Sequence, residues 1–237
     1  MKNILFIAAE NEEIQCAIEA FENFKECSKD FIKVDFISTG IGTTITSYKL
    51  TKAILKAETK GEAYDLIIEI GLAGSYDLKK LPVRSAALVT TEYAADLGFD
   101  SEQDGIKTLF DCGYWDKNTF PFTDGGINRP SLPYKNLENL LNRYIPAKGV
   151  SVQTVTGEPN KLKNNRNKFH ADVESMEGWA VYYIAQLEGI PFFEIRTISN
   201  AVGVSDSSKW DNEGARQTLK ACCKDIIENL LIDLKIS

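Results

Sequence analysis

Residues Ala171–Gly203 read ADVESMEGWAVYYIAQLEGIPFFEIRTISNAVG. Two acids, Glu174 and Glu177, are predicted at the start of an amphipathic helix that carries Met176, Ala180, Tyr183 and Leu187 on one face. Gly189-Ile190-Pro191 stops that helix, and Pro191–Thr197 is an apolar run of strand length. A polar loop, Ser199–Gly203, is expected to follow. Ligands of open α/β sheets gather at the carboxyl ends of strands and the amino ends of helices. This stretch brings one end of each kind together, so it decides the fold class, α/β, and shows where a site belongs.

Outward from it, strands and helices alternate along the whole chain. Lys2–Ala8 reads as a buried strand. The helix after it places Ile14, Ala17, Ile18 and Phe21 on one face, with Glu10, Glu12 and Glu13 in its first turn. Those acids either favour the helix dipole or turn one carboxylate over the sheet edge as a general base. Phe31–Ser38 is a second strand, joined through Thr39-Gly40-Ile41-Gly42-Thr43 to a helix ending near Lys56. The Gly-x-Gly brings backbone close to a ligand, but the full dinucleotide fingerprint is absent. Ala63–Ile70 runs into Gly71-Leu72-Ala73-Gly74-Ser75, either a tight turn or a close approach to a ligand. Arg84–Thr91 is a fourth strand.

Residues 99–133 lose periodicity and carry Phe110, Tyr114, Trp115, Phe120 and Phe122. An excursion this long serves as a lid, an oligomer contact, or a layer packed on the domain. Leu137, Leu140, Leu141 and Tyr144 mark a short helix, and Gly149–Val155 a strand. Asn160–His170 is polar and basic, a solvated connection ending in a surface histidine. A closing helix, Glu213–Leu234, presents Leu219, Cys222, Cys223, Ile226, Ile227, Leu230 and Leu234 at helical spacing. No linker or composition shift divides the chain, so residues 1–237 are expected to form one α/β domain.

Composition narrows the function classes. The chain has 237 residues, 43% hydrophobic and 26% charged, with a net charge of −7. An acidic balance without clustered Lys and Arg argues against nucleic acid and against an anionic membrane surface. The apolar opening run is too short for a signal segment or a membrane span. Five cysteines without framework spacing read as free thiols in a reducing cytoplasm. One histidine and no paired cysteine motif leave no metal site expected, and neither a Walker loop nor a nucleophile elbow is present.

Gly71-Leu72-Ala73-Gly74, Val173-Glu174-Ser175-Met176-Glu177-Gly178 and Arg196-Thr197-Ile198-Ser199-Asn200, in this order and over nearly the whole chain, resemble the purine nucleosidase and phosphorylase superfamily. The nearest branches are the methylthioadenosine/S-adenosylhomocysteine nucleosidases and the futalosine hydrolases. The VESMEG form, Ala95-Asp96-Leu97-Gly98, Ile70–Ser75 and the SNAVG loop are similar to the futalosine hydrolases. The resemblance implies a three-layer α/β/α sandwich around a central mixed, twisted sheet, with no cofactor, a purine nucleoside substrate and a homo-oligomer. It also implies hydrolysis of futalosine to hypoxanthine and dehypoxanthinyl futalosine, a step towards menaquinone. Glu13 corresponds to the base that activates water, Glu177 to the acid that holds the ribose hydroxyls, and Met176 to the methionine against the sugar. Asn200 corresponds to the position that meets the leaving purine, and Val155 and Thr156 to the border of the base. Glu174, Ala73 and Gly74 belong to the same substrate-binding motifs.

Those roles fit the chemistry. An N-glycosidic bond breaks through a cationic sugar, which carboxylates stabilise, and a carboxylate accepts both hydrogen bonds of a vicinal diol. Two departures bear on substrate. Adenine-cleaving nucleosidases have Asp where this chain has Asn200. An amide offers a donor beside an acceptor, which suits a 6-oxopurine. The nucleosidases also have Ser where Leu72 stands, so a side-chain hydrogen bond to Glu13 is lost. Phosphorolysis needs several cations around the phosphate, and the first Arg is Arg84, far from the opening strands; water is the expected nucleophile. Arg84 and Arg129 are candidates for the carboxylate at the far end of futalosine, with the aromatic excursion covering its ring.

Overall fold

The computed structural model describes residues 1–99, 106–204 and 206–236. The strands are β1 (Lys2–Ala8), β2 (Ile32–Ser38), β3 (Leu66–Ser75), β4 (Ala86–Ala94), β5 (Gly98–Phe99), β6 (Lys107–Thr108), β7 (Ile127–Asn128), β8 (Ile145–Ser151), β9 (Val173–Ser175) and β10 (Phe192–Ala201). The helices are α1 (Asn11–Glu22), α2 (Lys25–Ser28), α3 (Thr43–Thr59), α4 (Lys135–Leu141), α5 (Pro159–Phe169), α6 (Gly178–Leu187) and α7 (Asn212–Ile236). Among the described residues no helix is long and apolar enough to cross a membrane, and all five cysteines are free.

β2, β1 and β3 are parallel neighbours, and β3 pairs with both β10 and β9. From β10 the pairing continues through β4 and β8 back to β9. Five strands thus close on themselves, with β1 and β2 extending the sheet on one side. The period-2 alternation of a strand splits its side chains between two layers. Ile4, Phe6, Ile68 and Ile195 face α1, α4 and α7, whereas Leu5, Ile7, Ile67 and Phe192 face α3 and α6. The α7 face reads as expected: Leu219, Cys223, Ile226 and Leu230 are buried. Each such aliphatic side chain taken from water is worth roughly 1.5–3 kcal/mol.

Four expectations need correction. Asn160–His170 is not a loop but helix α5, capped by Glu158, whose carboxylate accepts from the Asn160 and Lys161 N–H groups. Its polar exterior hid it, although Pro159 at its first turn was a start signal. Glu174 is not on a helix: it lies in β9, and α6 begins only after Glu177. The buried face of α6 is Trp179, Val181, Tyr182 and Ala185 together with Ala180, while Leu187 is exposed. Finally, β3 runs through Gly71–Ser75 and β10 through Ser199-Asn200, stretches read as turn and loop. Pairing between β3 and β10 overrides their polar or small composition, with Asn200 opposite Gly74 and Ala201 opposite Ser75, and β9 pairs with Gly74 and Ser75 from the other side.

Of the 99–133 excursion, residues 100–105 lie outside the described residues. The rest packs on the domain. Phe122 stacks on Trp179 and Tyr183 at ring separations of 5.9 and 6.2 Å, and Phe110 and Trp115 close around it. Phe122→Ala is expected to cost about 1–3 kcal/mol of stability. Because this cluster lies on the outer side of α6, KM for substrate should change less than about twofold; urea unfolding and steady-state kinetics check both.

Candidate active site

The carboxyl ends of β1, β3 and β10, the start of α1 and the β9–α6 junction surround a cleft that opens to solvent. Of the predicted residues, Glu13, Ala73, Gly74, Val155, Glu174, Met176, Glu177 and Asn200 line it. Thr156 does not. It is buried, and its N–H donates to Glu174 Oε1 at 2.8 Å. Glu174 Oε2 in turn accepts from the Tyr76 hydroxyl at 2.6 Å. One oxygen of Glu174 therefore anchors Thr156 and the other holds Tyr76.

Glu13 reaches the cleft because α1 begins directly at the end of β1. A reciprocal capping box fixes that turn: Glu10 caps the helix, and the Glu10 N–H donates to Glu13 Oε2 at 3.0 Å. Glu13 Oε1 accepts from the Leu72 main-chain N–H at 2.7 Å. The serine hydroxyl missing at position 72 is thus replaced by backbone, and the carboxylate is oriented without it. Burial raises the Glu13 carboxyl above the ordinary glutamate range; the Arg196 guanidinium and the two N–H groups pull it back.

Glu177 sits at the entry to α6. Its Oε1 accepts from the Gly42 N–H at 3.0 Å, and its Oε2 lies 3.6 Å from Arg196 Nη1. Gly42 has φ +102°, so the Gly-x-Gly turn is needed to aim that N–H. Asn200 is aimed by an irregularity. The β3–β10 register shifts between Ile198 and Asn200, leaving Ser199 as an extra residue. The Ser199 hydroxyl donates to Asn200 Oδ1 at 2.7 Å, and Asn200 Nδ2 donates to the Ala201 carbonyl at 2.9 Å. Each end of the amide keeps one hydrogen-bonding valence for a ligand.

Arg196 was quoted in a motif but given no role. It is fully buried behind the cleft wall, with Nη2 on Glu69 and Nε on Glu194, both at 2.5 Å. A Cβ on Gly71 would come within 2.4 Å of Arg196 Nη1 and 3.1 Å of Glu13 Oε1, so Gly71 is what lets the guanidinium approach the base. The signal was available: charged residues are almost never fully buried unless paired, and Glu69, Glu194 and Arg196 interrupt apolar strands. Ile41 and Trp210, which line the mouth of the cleft with Val155, carried no predicted role.

Arg84 and Arg129 are corrected as contacts for the far end of a substrate. Arg84 pairs with Asp211 and Arg129 with Glu138, and neither lines the cleft. Nor do the described residues of the aromatic excursion line it. Among the described residues, no Lys or Arg forms its wall, and no group of side chains is suited to hold a metal.

The sequence profile of the phosphorylase superfamily matches residues 6–231. Futalosine hydrolase of Streptomyces coelicolor is 28% identical over 178 residues, 74% of this chain and 71% of that protein. Futalosine hydrolase of Acidothermus cellulolyticus is 28% identical over 165 residues, 66% and 62% of the two chains. Among solved structures, a mutant futalosine hydrolase of Helicobacter pylori superimposes with a TM-score of 0.75 at 17% identity, covering 96% of this chain and 99% of that one. The 5'-methylthioadenosine/S-adenosylhomocysteine nucleosidase of the same organism, crystallised with butyl-thio-DADMe-Immucillin-A, gives 0.73 at 15% identity, covering 97% and 98%. The last two likenesses concern the fold, whereas the match over 6–231 takes in every residue that lines the cleft: the chain belongs to the phosphorylase superfamily.

Proposed function

We propose that the protein hydrolyses the N-glycosidic bond of futalosine, releasing hypoxanthine. The observation that supports this reading above others is the pairing of two features in one cleft: a buried, backbone-oriented Glu13 and an amide, Asn200, with a donor and an acceptor to spare. Glu177 takes the ribose hydroxyls and Met176 packs against the sugar. Water attacks the anomeric carbon while Glu13 accepts its proton. The bond to the purine nitrogen breaks, its electron pair leaves with the base, and the departing purine takes a proton from solvent at a ring nitrogen. Asn200 donates to the oxygen of the departing 6-oxopurine, where negative charge develops, and accepts from its ring N–H. A cleft wall without Lys or Arg favours water over phosphate as nucleophile. Trp210, Ile41 and Val155 offer an apolar mouth for the carboxybenzoyl end.

Hypoxanthine release from futalosine, against adenine release from methylthioadenosine, tests the reading. We expect the first to dominate by at least about 100-fold in kcat/KM, since a site with mismatched buried polar groups rejects a substrate strongly. Dominant adenine release would replace the proposal with a methylthioadenosine-type nucleosidase. Binding of futalosine without any release would replace it with a nucleoside-binding protein. Asn200→Asp should narrow the ratio by roughly tenfold or more, because a carboxyl group can protonate a departing adenine; an unchanged ratio removes Asn200 as the selector.

A further inference from the structure

Behind the cleft lies a second layer of acids that the mechanism does not use. Glu69 and Glu194 are register partners on adjacent strands, β3 and β10, and both point to the α6 side of the sheet. They hold Arg196 from two directions. Glu92 on β4 approaches from a third. A Cβ on Gly178 would lie 2.7 Å from Glu92 Oε1 and 3.0 Å from Glu194 Oε1, so that glycine leaves a gap into which two carboxyl groups face. The far oxygen of Glu92 accepts from the Ser151 hydroxyl at 3.1 Å. Glu69 Oε2, Glu92 Oε1 and Glu194 Oε2 are buried with no hydrogen-bond partner among the described residues.

We propose that Glu69 and Glu194 are positioning residues: together they fix the Arg196 guanidinium and set how much of its positive charge reaches Glu13. This rests on the reading of Glu13 as the base. One guanidinium cannot offset three buried carboxylates as well as Glu177 and Glu13. Bare carboxylate oxygens without partners are costly in a dry interior, so such groups take up protons. Burial, then the Glu194 charge, lifts Glu69 well above the usual glutamate range; burial and the same neighbour lift Glu92. Glu194 is raised by burial but held down by Arg196. On this proposal Glu194 is the ionised counterion, and Glu69 and Glu92 carry protons. The groups facing this cluster are Glu13 on α1, Glu177 before α6, and Tyr182 on α6, whose hydroxyl donates to the Val89 carbonyl.

The test is the pH profile of kcat/KM for futalosine, whose acid limb reports ionisation of the base in the free enzyme. Glu194→Gln removes the counterion's charge and leaves Arg196 less compensated, so the acid limb should move down by roughly one pH unit. Glu69→Gln exchanges one neutral group for another and should leave the limb in place. A limb that stays put or rises in Glu194→Gln, or that moves equally in both variants, overturns the proposal. A second readout needs no activity. Infrared spectra of the full chain labelled with 13C at the glutamate side-chain carboxyl (Cδ), at about pH 7, should show a protonated-carboxyl stretch that weakens in Glu69→Gln. Its absence from the parent protein overturns the assignment even where turnover is normal. Failure to release hypoxanthine, with the infrared band present, removes only the futalosine reading.

Discussion

Glu13→Gln is expected to lower kcat for hypoxanthine release by about 10²–10⁴-fold, the usual worth of a positioned general base, while the dissociation constant for futalosine changes by less than about threefold. The amide keeps the shape of the carboxylate and can still accept from the Leu72 N–H that orients it. It cannot take a proton from water. The Glu10 N–H, which donates to the second oxygen, lies at the exposed mouth of the cleft and can turn to solvent, so folding should survive. Rapid-quench measurement of base release, with binding followed separately, distinguishes a lost proton acceptor from lost affinity. A kcat within tenfold of the parent would move the base elsewhere, and Glu10 at the cleft mouth would be the next residue to test.

Arg196→Met should be the most damaging single change to stability. It strands buried carboxyl groups that now share one guanidinium, and breaking a buried pair from one side costs about 3–5 kcal/mol. For a chain of this length that is a fall in Tm on the order of 10 °C. The loss should depend on pH, with a definite sign. Burial, above all, holds Glu69 and Glu92 well above the glutamate range in the folded state, against about 4.3 in the unfolded chain. The folded state therefore binds more protons. The associated stability is fully present below the unfolded value and is lost as pH rises towards the folded one. Without Arg196, Glu194 joins them, so the variant should lose stability between mildly acidic and mildly alkaline buffer more steeply than the parent. Urea unfolding at the two ends of that range measures the difference; an equal slope for both proteins would show that Arg196 does not compensate these acids.

Much of the candidate active-site cleft was legible before any coordinates. Met176, Glu177 and Asn200 lie in the ordered motifs and Glu13 in a position that the family resemblance singled out, and the structure brings all four to one cleft. What sequence could not show was how each is aimed. The Leu72 N–H that orients Glu13 belongs to the backbone and leaves no trace in residue type. The extra residue that turns Asn200 towards the cleft appears only when β10 is paired with β3. Glu174 looks like a ligand residue beside Glu177, yet its oxygens are occupied by Thr156 and Tyr76.

The sequence by itself determined the alternation of strand and helix, the apolar faces that sort them into layers, and the family. These are local properties: periodicity and turn chemistry act within a few residues, and motif order survives without knowledge of contacts. Only the tertiary structure decided that Gly71–Ser75 and Ser199-Asn200 are strand, because the pairing of β3 with β10 outweighs local preference. It alone gathered Glu69, Glu92, Glu194 and Arg196, from three strands far apart in the chain, around one buried charge. Coulomb interactions and desolvation depend on distance through space, and residues 127 apart in sequence, as Glu69 and Arg196 are, meet only when the sheet is assembled.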